Sequence, residues 1–195
     1  MKLIWNGHSC FTLVSADGTL VFDPYTDGSV PGYPPLRLEA DRVLSSHKHK
    51  DHSGFDCVKL SGREDHFQVE ELHSFHDDVQ GEKRWANTIF IVSSEGLRIA
   101  HMGDIGCALS EDQLEKLREV DVLLLPVGGY FTVNAAEAYE IYREIAPRAV
   151  VPMHYRSDGQ GFGYRVIGEV EDFLALFPAG QVTRLIGPSF SLTET

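Results

Sequence analysis

The chain has 195 residues, of which 43% are hydrophobic and 24% are charged, and these proportions are typical of globular proteins and argue against a disordered chain. Its 29 acidic and 17 basic residues give a formal net charge of −12, which argues against sequence-independent binding to nucleic acid. The length suits one domain with a sizeable core, and we predict a single domain over residues 1–195.

The first part of the chain is predicted to be rich in strands. Apolar or β-branched residues predict four short strands, at 3–5, 10–14, 19–22 and 42–45. Asp17-Gly18 is a hairpin signal between the second and third of these strands. The glycine and proline content of residues 28–35 indicates a surface loop, because the pieces on either side are too short to be separate domains.

The second part of the chain is predicted to alternate strands with helices. Apolar runs predict five strands, at 88–92, 97–101, 122–125, 149–151 and 182–186. Helices are predicted after the capping-box pair Ser110 and Gln113, at 135–145 and at 170–177. A β-rich half followed by interleaved strands and helices predicts a layered α/β or α+β fold.

The cysteines indicate a reducing location. The number of cysteines is odd and no two are close in sequence, so neither a disulfide framework nor a cysteine zinc site is predicted for Cys10, Cys57 and Cys107. The first residues are not predicted to be a signal peptide, and no apolar run approaches the ~20 residues that cross a bilayer. We therefore expect a cytoplasmic protein that makes no membrane contact.

A dense cluster of ligand-type side chains follows the predicted strand at 42–45. Alternate positions of an extended segment project to one side, so His47, His49 and Asp51 can converge while His52 turns to an adjacent point. Imidazole and carboxylate suit zinc, manganese or iron(II), and the lack of thiolates argues against a closed structural zinc site. The alternative is a solvated loop that happens to be rich in histidine.

Three later positions offer matching ligands, and each follows an apolar or mixed strand. They are His76, Asp104 and His154. Rigid sites are commonly built from side chains collected at strand ends across a sheet. A single histidine in such a place is more often a capping or core residue, but the recurrence of the pattern favours a shared metal site.

The order of these motifs resembles the metallo-β-lactamase superfamily. The likeness is closer to its small metal-dependent hydrolases, which include the ascorbate-6-phosphate lactonase-like group. It covers nearly the whole chain, through the segments Gly7-His8-Ser9-Cys10-Phe11, Phe22-Asp23-Pro24, His47-x-His49-x-Asp51-His52, Asn87-Thr88, Gly103-Asp104, Pro126-Val127-Gly128-Gly129 and Pro152-Met153-His154-Tyr155. The histidine motif is highly specific, whereas the glycine pair and the Asp-Pro pair alone are weak signals.

That resemblance implies a four-layer αββα sandwich with a site for two divalent metal ions at one edge of its sheets. Zn²⁺ is the expected metal, with Mn²⁺ or Fe²⁺ as alternatives. The implied ligands are His47, His49 and His76 for one ion, Asp51, His52 and His154 for the other, and Asp104 as a bridge between them. His73 could compete with His76, which we prefer because Asp77-Asp78 follows it.

The implied reaction is hydrolysis of an ester, lactone or phosphodiester of a small-molecule substrate by a metal-bound hydroxide. An anionic substrate is compatible with the acidic chain, because metal ions reverse the local field in a cleft. Asp51 is the expected catalytic residue, which orients the hydroxide and handles a proton. Asp23 either orients a ligand or makes an Asp-Pro turn, and His8 either faces the cleft or packs as a structural residue.

The candidates for binding substrate are polar or aromatic residues near the predicted metal-bearing loops. They are Arg84, Asn87, Tyr130, Tyr155 and Arg156. Lys48 and Lys50 alternate with the ligands, which predicts that they point away from the metals. Each of these residues, taken alone, is more often an ordinary surface residue.

Two other functions are compatible with the motifs. A non-catalytic metal-binding or sensing module would use the same fold, but a carboxylate-bridged site with open positions favours an enzyme. A nuclease acting on RNA is disfavoured by the acidity and by a length that leaves no room for an added nucleic-acid domain. The substrate, the native metal and the oligomeric state, including a homo-oligomer, stay open because one fold serves many reactions.

Overall fold

The computed structural model describes residues 1–157, 161 and 166–193. The strands are β1 (Lys2–Gly7), β2 (Cys10–Ser15), β3 (Gly18–Phe22), β4 (Leu38–Ala40), β5 (Arg42–Leu44), β6 (Val58–Leu60), β7 (Gln68–Phe75), β8 (Ala86–Ser94), β9 (Leu97–His101), β10 (Val122–Pro126), β11 (Ala149–Met153) and β12 (Ser189–Ser191). The helices are α1 (Glu111–Leu117), α2 (Ala135–Ile145) and α3 (Val170–Leu174), and a 3-10 turn spans Phe55–Cys57.

Two five-stranded sheets form the centre of the molecule. The first has the order β12-β1-β2-β3-β5 and the second has the order β11-β10-β9-β8-β7. Within the second sheet, β9, β10 and β11 are parallel, and β7 and β8 continue it in antiparallel fashion. The sheets pack face to face, with Phe11 and Phe22 from one and Phe90 and Leu124 from the other in a shared core.

Helices cover the outer face of the second sheet. Period-2 alternation sends Leu123 and Leu125 to this side and Leu124 to the core between the sheets. Leu117 from α1 and Phe173 from α3 pack against the outer-facing residues. The predicted capping box is confirmed at α1, where Ser110 accepts from the amide of Gln113 and the Gln113 side chain accepts from the Ser110 amide, and a second box starts α2.

The outer face of the first sheet is covered by other structure. Tyr25, Val30 and Leu36 from the loop after β3 pack there with Ala40 and Val58 from the β4–β6 pair. The predicted α+β sandwich is therefore confirmed, with helices on one side and a loop and two-stranded sheet on the other. The assignment of residues 1–195 to a single domain stays a prediction.

The end and the edge of the sandwich differ from the sequence-based expectation. The predicted strand at 182–186 is wrong, because β1 accepts a partner only after Pro188, whose carbonyl accepts from the Trp5 amide at 2.7 Å. Leu185 and Ile186 are exposed instead. The edge strand β7 was not predicted, because its sequence carries polar residues along its exposed face.

The topology collects the predicted ligands at one edge of the two sheets. β5 ends before His47, β7 before His76, β9 before Asp104 and β11 before His154. The turn between β1 and β2 brings His8 to the same place. In the part of the chain that the structure describes, no helix is both long and apolar enough to cross a bilayer.

Candidate metal centre

Buried and half-buried histidines and aspartates from five segments converge beyond these strand ends. They form three overlapping groups, and within each group the potential ligand atoms lie within 4.8 Å of one another. The groups are His47, His49 and His76; His47, His52 and Asp104; and His8, Asp51, His52 and His154. All seven predicted ligands thus lie together, and His8 joins them.

Asp104 lies at the junction of these groups. Its Oδ2 atom is 3.1 Å from His52 Nε2, 3.1 Å from His154 Nε2 and 3.2 Å from His76 Nε2. Burial opposes ionisation of this carboxyl group, but attraction to His154 and His52 outweighs it and holds the pKa of Asp104 well below its usual value. The group is therefore a buried carboxylate that faces histidines from both sides of the centre.

The structure separates the two candidates for the third histidine of the first group. His76 is buried, and its ring centroid lies 4.8 Å from that of His47 and 5.2 Å from that of His49. His73 is exposed on β7 and belongs to none of the groups. The geometry therefore brings His76, and not His73, to the centre.

Asp23 supports two of the histidines from behind. It is fully buried, its Oδ2 lies 2.7 Å from His52 Nδ1, and it accepts hydrogen bonds from the Ser46 amide and the Ser46 hydroxyl at 2.7 and 2.6 Å. Because the Ser46 hydroxyl donates to Asp23, it accepts from His47 Nδ1 at 2.9 Å. His47 and His52 therefore carry a proton on Nδ1, which leaves Nε2 to face the centre.

The buried atoms at the centre fit a bound cation. Among the described residues, His47 Nε2, His52 Nε2 and Asp104 Oδ1 have no hydrogen-bond partner although they are buried. Histidines whose Nδ1 bonds a carboxylate or hydroxyl and whose Nε2 is free are typical metal ligands. The donor set of imidazole and carboxylate matches zinc, manganese or iron(II).

The pKa values of the histidines show where a proton competes with such a cation. Burial alone would lower the pKa of His52, but attraction to Asp104, Asp51 and Asp23 raises it well above the ordinary value. Burial and repulsion from His52 lower the pKa of His47 to about 3. Metal binding at this centre should therefore release a proton from His52.

Asp51 lies in the group that contains His8 and His52. Its Oδ2 is 3.3 Å from His8 Nε2 and 3.5 Å from His52 Nε2. Burial opposes ionisation, but attraction and hydrogen bonding from His52 and then His8 hold the pKa of Asp51 below its usual value. Asp51 is therefore a carboxylate that also borders the cleft above the centre.

The centre opens into a cleft of about 430 Å³. The cleft is lined by Ser29, His49, Lys50, Asp51, His76, Arg84, Asp104, Phe131 and His154. The Arg84 guanidinium lies 5.8 Å from the ring centroid of Tyr130 and 5.5 Å from that of Phe131. Among the described residues, no carboxylate lies within ion-pairing distance of Arg84, so its charge is free to meet an anion.

Two aromatic residues near this cleft have strained backbone. Trp85 has φ +71° with 66% of its surface exposed, and Tyr130 has φ +59° with 62% exposed. Such conformations cost about 1–3 kcal/mol each and cluster at functional sites. The Trp85 ring centroid lies 5.3 Å from that of His49, so an exposed aromatic surface borders the metal centre.

Asp77 shapes the loop that carries Arg84. Its carboxylate accepts from the amides of Val79, Gly81, Lys83 and Arg84 at 2.7–3.0 Å. Burial opposes ionisation, but these four bonds lower the pKa of Asp77 to about 2. One buried carboxylate thus closes the turn between His76 and the cleft.

Replacing Asp77 by alanine should loosen this loop. We expect Asp77→Ala to lower the free energy of unfolding by about 1–3 kcal/mol, because four amides lose a charged acceptor. Amide exchange over residues 79–84 should accelerate. The matched control is Asp78→Ala, since Asp78 is exposed and its carboxylate forms an ion pair of 3.1 Å with Lys83. Equal effects of the two substitutions on stability and exchange would contradict this role for Asp77.

Asn87, one of the candidate substrate residues, does not line the cleft. Asn87 is fully buried; it donates to Ser74 Oγ and to the Met102 carbonyl, and its Oδ1 accepts from the Asp104 amide at 2.9 Å. Gly103 has φ +56°, and a Cβ there would overlap Asn87 Oδ1. The geometry thus gives Asn87 a supporting position behind Asp104.

Tyr155 packs on the opposite side of its strand end. Its ring stacks on Trp5 with centroids 5.9 Å apart, and it lines a separate apolar cavity of about 350 Å³ with Phe173 and Phe177. Arg156 pairs with Glu169 at 2.8 Å. Of the candidate substrate residues, Arg84 alone is among the cleft-lining residues given above.

Sequence reasoning missed several residues that the centre uses. Ser46 and Asp77 directly precede and follow predicted ligands, and that adjacency is the signal that could have identified them. Lys50 lines the cleft although alternation predicts that it points away. Phe131 follows the Gly128-Gly129 pair, but no local pattern ties it to the cleft, since its position depends on the whole sheet.

Most of the chain matches a known protein family. The model of a family described as β-lactamase superfamily domain matches residues 2–154. The chain belongs to the metallo-β-lactamase superfamily. The superfamily that the sequence motifs indicate is therefore confirmed. The narrower likeness to its ascorbate-6-phosphate lactonase-like group stays a prediction.

Relatives of this superfamily member extend the likeness to most of the chain. A protein of Archaeoglobus fulgidus named UPF0173 metal-dependent hydrolase is 30% identical in an alignment that covers 80% of this chain and 84% of the relative. A crystal structure from Thermotoga maritima, described as a proposed zinc-dependent hydrolase of the superfamily, is 30% identical with a TM-score of 0.77. That match covers 99% of this chain and 92% of the other.

A more distant structure shares the fold alone. The metallo-hydrolase Igni18 of Ignicoccus hospitalis has a TM-score of 0.65 at 18% identity, and the match covers 98% of this chain and 99% of the other. The sandwich is thus maintained while most of the sequence changes. The names of these superfamily members agree with the sequence-based prediction of a metal-dependent hydrolase.

Proposed function

We propose that this chain is a hydrolase that uses two divalent metal ions, with Zn²⁺ the expected metal, to cleave an ester, lactone or phosphodiester of a small anionic substrate. The observation that carries the proposal is the position of Asp104, whose Oδ2 lies within 3.2 Å of histidines from both sides of the centre. A carboxylate in that position suits two adjacent cations, because it faces histidines of both groups.

Three side chains are assigned to each of two metal positions, and Asp104 is assigned to both. The first position has His47, His49 and His76, and the second has Asp51, His52 and His154. Bound divalent ions would supply an acidified water and a Lewis acid beside the scissile bond. Hydrogen bonds between Ser46 and His47 and between Asp23 and His52 orient the Nε2 atoms of these histidines toward the centre.

The remaining chemistry falls to side chains that border the cleft. Asp51 accepts the proton of the attacking water and passes it to the leaving group, because it is an ionised carboxylate beside the centre. Arg84 and Lys50 attract an anionic group of the substrate despite the net charge of −12. Phe131 adds apolar surface that limits water around the reacting bond.

An activity screen tests the proposed function. Chelated and metal-reloaded protein should be compared on lactones and esters, each in anionic and neutral forms, and on the phosphodiester bis(4-nitrophenyl) phosphate. We expect turnover in at least one class, lost on chelation and restored by Zn²⁺, Mn²⁺ or Fe²⁺. Metal binding without turnover in any class would overturn the hydrolase and favour the non-catalytic metal-binding module.

Arg84 provides a test of the anionic substrate. We expect Arg84→Gln to raise KM for anionic substrates by about 10-fold, because a charge-assisted hydrogen bond is lost, and to leave KM for neutral substrates nearly unchanged. The matched control is Lys83→Gln, since Lys83 is exposed and pairs with Asp78. An equal rise of KM for charged and neutral substrates would contradict the assignment.

We also propose a reducing cytoplasm as the location. Cys10, Cys57 and Cys107 are all free in the structure. An odd set of free thiols suits a reducing compartment. Because Cys10 is buried, the protein should be denatured and alkylated directly in cell lysate; mass spectrometry should then find all three cysteines modified, and a disulfide would contradict the location.

A further inference from the structure

His8 occupies the tight turn between β1 and β2. Its φ is +53°, and Gly7 before it has φ +112° and packs so closely on Tyr33 that a Cβ would overlap the ring. Left-handed conformations cost about 1–3 kcal/mol at residues other than glycine and persist where the surroundings enforce them. This turn directs the His8 imidazole beneath the centre, where it is only 1% exposed.

The His8 ring lies beside the residues assigned to the second metal position, which are Asp51, His52 and His154. Its centroid is 4.3 Å from that of His154 and 5.3 Å from that of His52. His8 Nε2 is 3.3 Å from Asp51 Oδ2. Two donor atoms about 2.0–2.2 Å from one ion, at angles between octahedral and tetrahedral, are roughly 3.0–3.5 Å apart, so this separation fits a shared cation.

A second buried histidine shows what a purely structural imidazole looks like in this fold. His101 Nε2 bonds the Ser9 carbonyl at 2.9 Å, and its Nδ1 accepts from the Gly103 amide at 3.1 Å. The His8 imidazole instead forms one side-chain hydrogen bond within the described residues, from Nε2 to Asp51. Its Nδ1 has no hydrogen-bond partner among those residues. His76 and His154 have the same unpartnered Nδ1.

We infer that His8 is an additional ligand of the ion held by Asp51, His52 and His154. The inference rests on the proposed two-metal function and goes beyond its seven ligands. It makes the two ions unequal, because the second position then has more protein ligands than the position formed by His47, His49 and His76. The three-histidine position is left with more open coordination sites, on the side where His49 and His76 line the cleft.

Cadmium-113 NMR tests this inference without relying on activity. Protein with ¹⁵N-labelled histidine, chelated and reloaded with ¹¹³Cd²⁺, should show direct coupling between cadmium and one ring nitrogen of each ligating histidine. We expect six coupled histidines, the six that the three groups contain. The variant His8→Asn should show five and should bind the second cadmium ion at least 10-fold more weakly.

Asparagine is the informative replacement at this position. It tolerates the left-handed backbone of residue 8, but its shorter side chain does not place a nitrogen where His8 Nε2 lies, and a carboxamide is a poor ligand for cadmium. The control is His73→Asn, which changes an exposed histidine outside the groups and should retain six coupled histidines.

The outcomes separate the two claims. Five coupled histidines in the wild-type protein, unchanged in number in His8→Asn, would overturn the role of His8 and leave the two-metal proposal standing. Absence of any coupled histidine would overturn the two-metal proposal itself. Loss of exactly one coupled histidine in His8→Asn, with none lost in His73→Asn, would support His8 as a ligand.

Discussion

Replacing Asp104 by asparagine is expected to abolish tight metal binding at both positions. The substitution keeps the shape of the side chain but removes the buried charge that lies 3.1–3.2 Å from His52, His76 and His154. Loss of an outer-shell partner weakens metal binding by about 10–100-fold, so loss of a shared ligand should exceed about 100-fold. Calorimetric titration of chelated protein with Zn²⁺ measures the effect at both sites.

Stability gives an independent reading of the same substitution. A bound ion stabilises the folded protein by about 4 kcal/mol when its free concentration is 1,000 times the Kd. Added Zn²⁺ should therefore raise the Tm of the chelated wild-type chain and hardly change that of Asp104→Asn. The control is Asp112→Asn, because Asp112 is exposed in the first turn of α1. Added Zn²⁺ should raise its Tm as much as that of the wild type. Two tight zinc sites in Asp104→Asn would contradict its bridging role.

Replacing Asp51 by asparagine is expected to lower kcat by about 10²–10⁴-fold, the range that general acid–base groups contribute. Asparagine preserves the side-chain size beside His8 and His52 but cannot accept a proton from water. The loss should persist at saturating metal, because it reflects proton transfer as well as ligation. Steady-state kinetics on the best substrate of the screen, at increasing Zn²⁺, measures both contributions.

Two further variants make the Asp51 result specific. Asp51→Glu keeps the carboxylate and should recover part of the lost kcat, whereas Asp56→Asn, in the exposed 3-10 turn nearby, should leave kcat unchanged. Turnover by Asp51→Asn equal to that of the wild type would remove Asp51 from the proposed mechanism.

Local sequence predicts those parts of the centre that depend on short spacing. His47, His49, Asp51 and His52 lie within six residues, so one extended segment brings them together. Strand patterns likewise placed Asp104 at the end of β9. The helix caps were predictable for the same reason, because Ser110 and Gln113 are three residues apart.

Features that depend on long-range packing were not accessible from the sequence. His8 is separated from Asp51 by 43 residues, and they meet because the β1–β2 turn and the loop after β5 belong to the same sheet. Asn87 is polar and adjacent to a cleft loop, but its partners lie on neighbouring strands, so it is buried behind Asp104. The segment 182–186 has strand-like residues, but in the described part of the chain it pairs with no strand, and Leu185 and Ile186 are exposed.

The aromatic border of the cleft is a further long-range feature. Trp85 and Tyr130 come from different loops, and the Arg84 guanidinium joins them by lying over the rings of Tyr130 and Phe131. Asp77 maintains the loop that makes this contact. The surface proposed to bind substrate is thus organised in part by the buried Asp77 carboxylate.

Metal content per chain tests the central claim most directly. Protein purified after expression in medium supplemented with zinc, manganese and iron should be dialysed against metal-free buffer and measured by elemental analysis with an independent protein concentration. We predict close to two divalent ions per chain, held at the centre around Asp104. One ion per chain, or none, would contradict the two-metal centre.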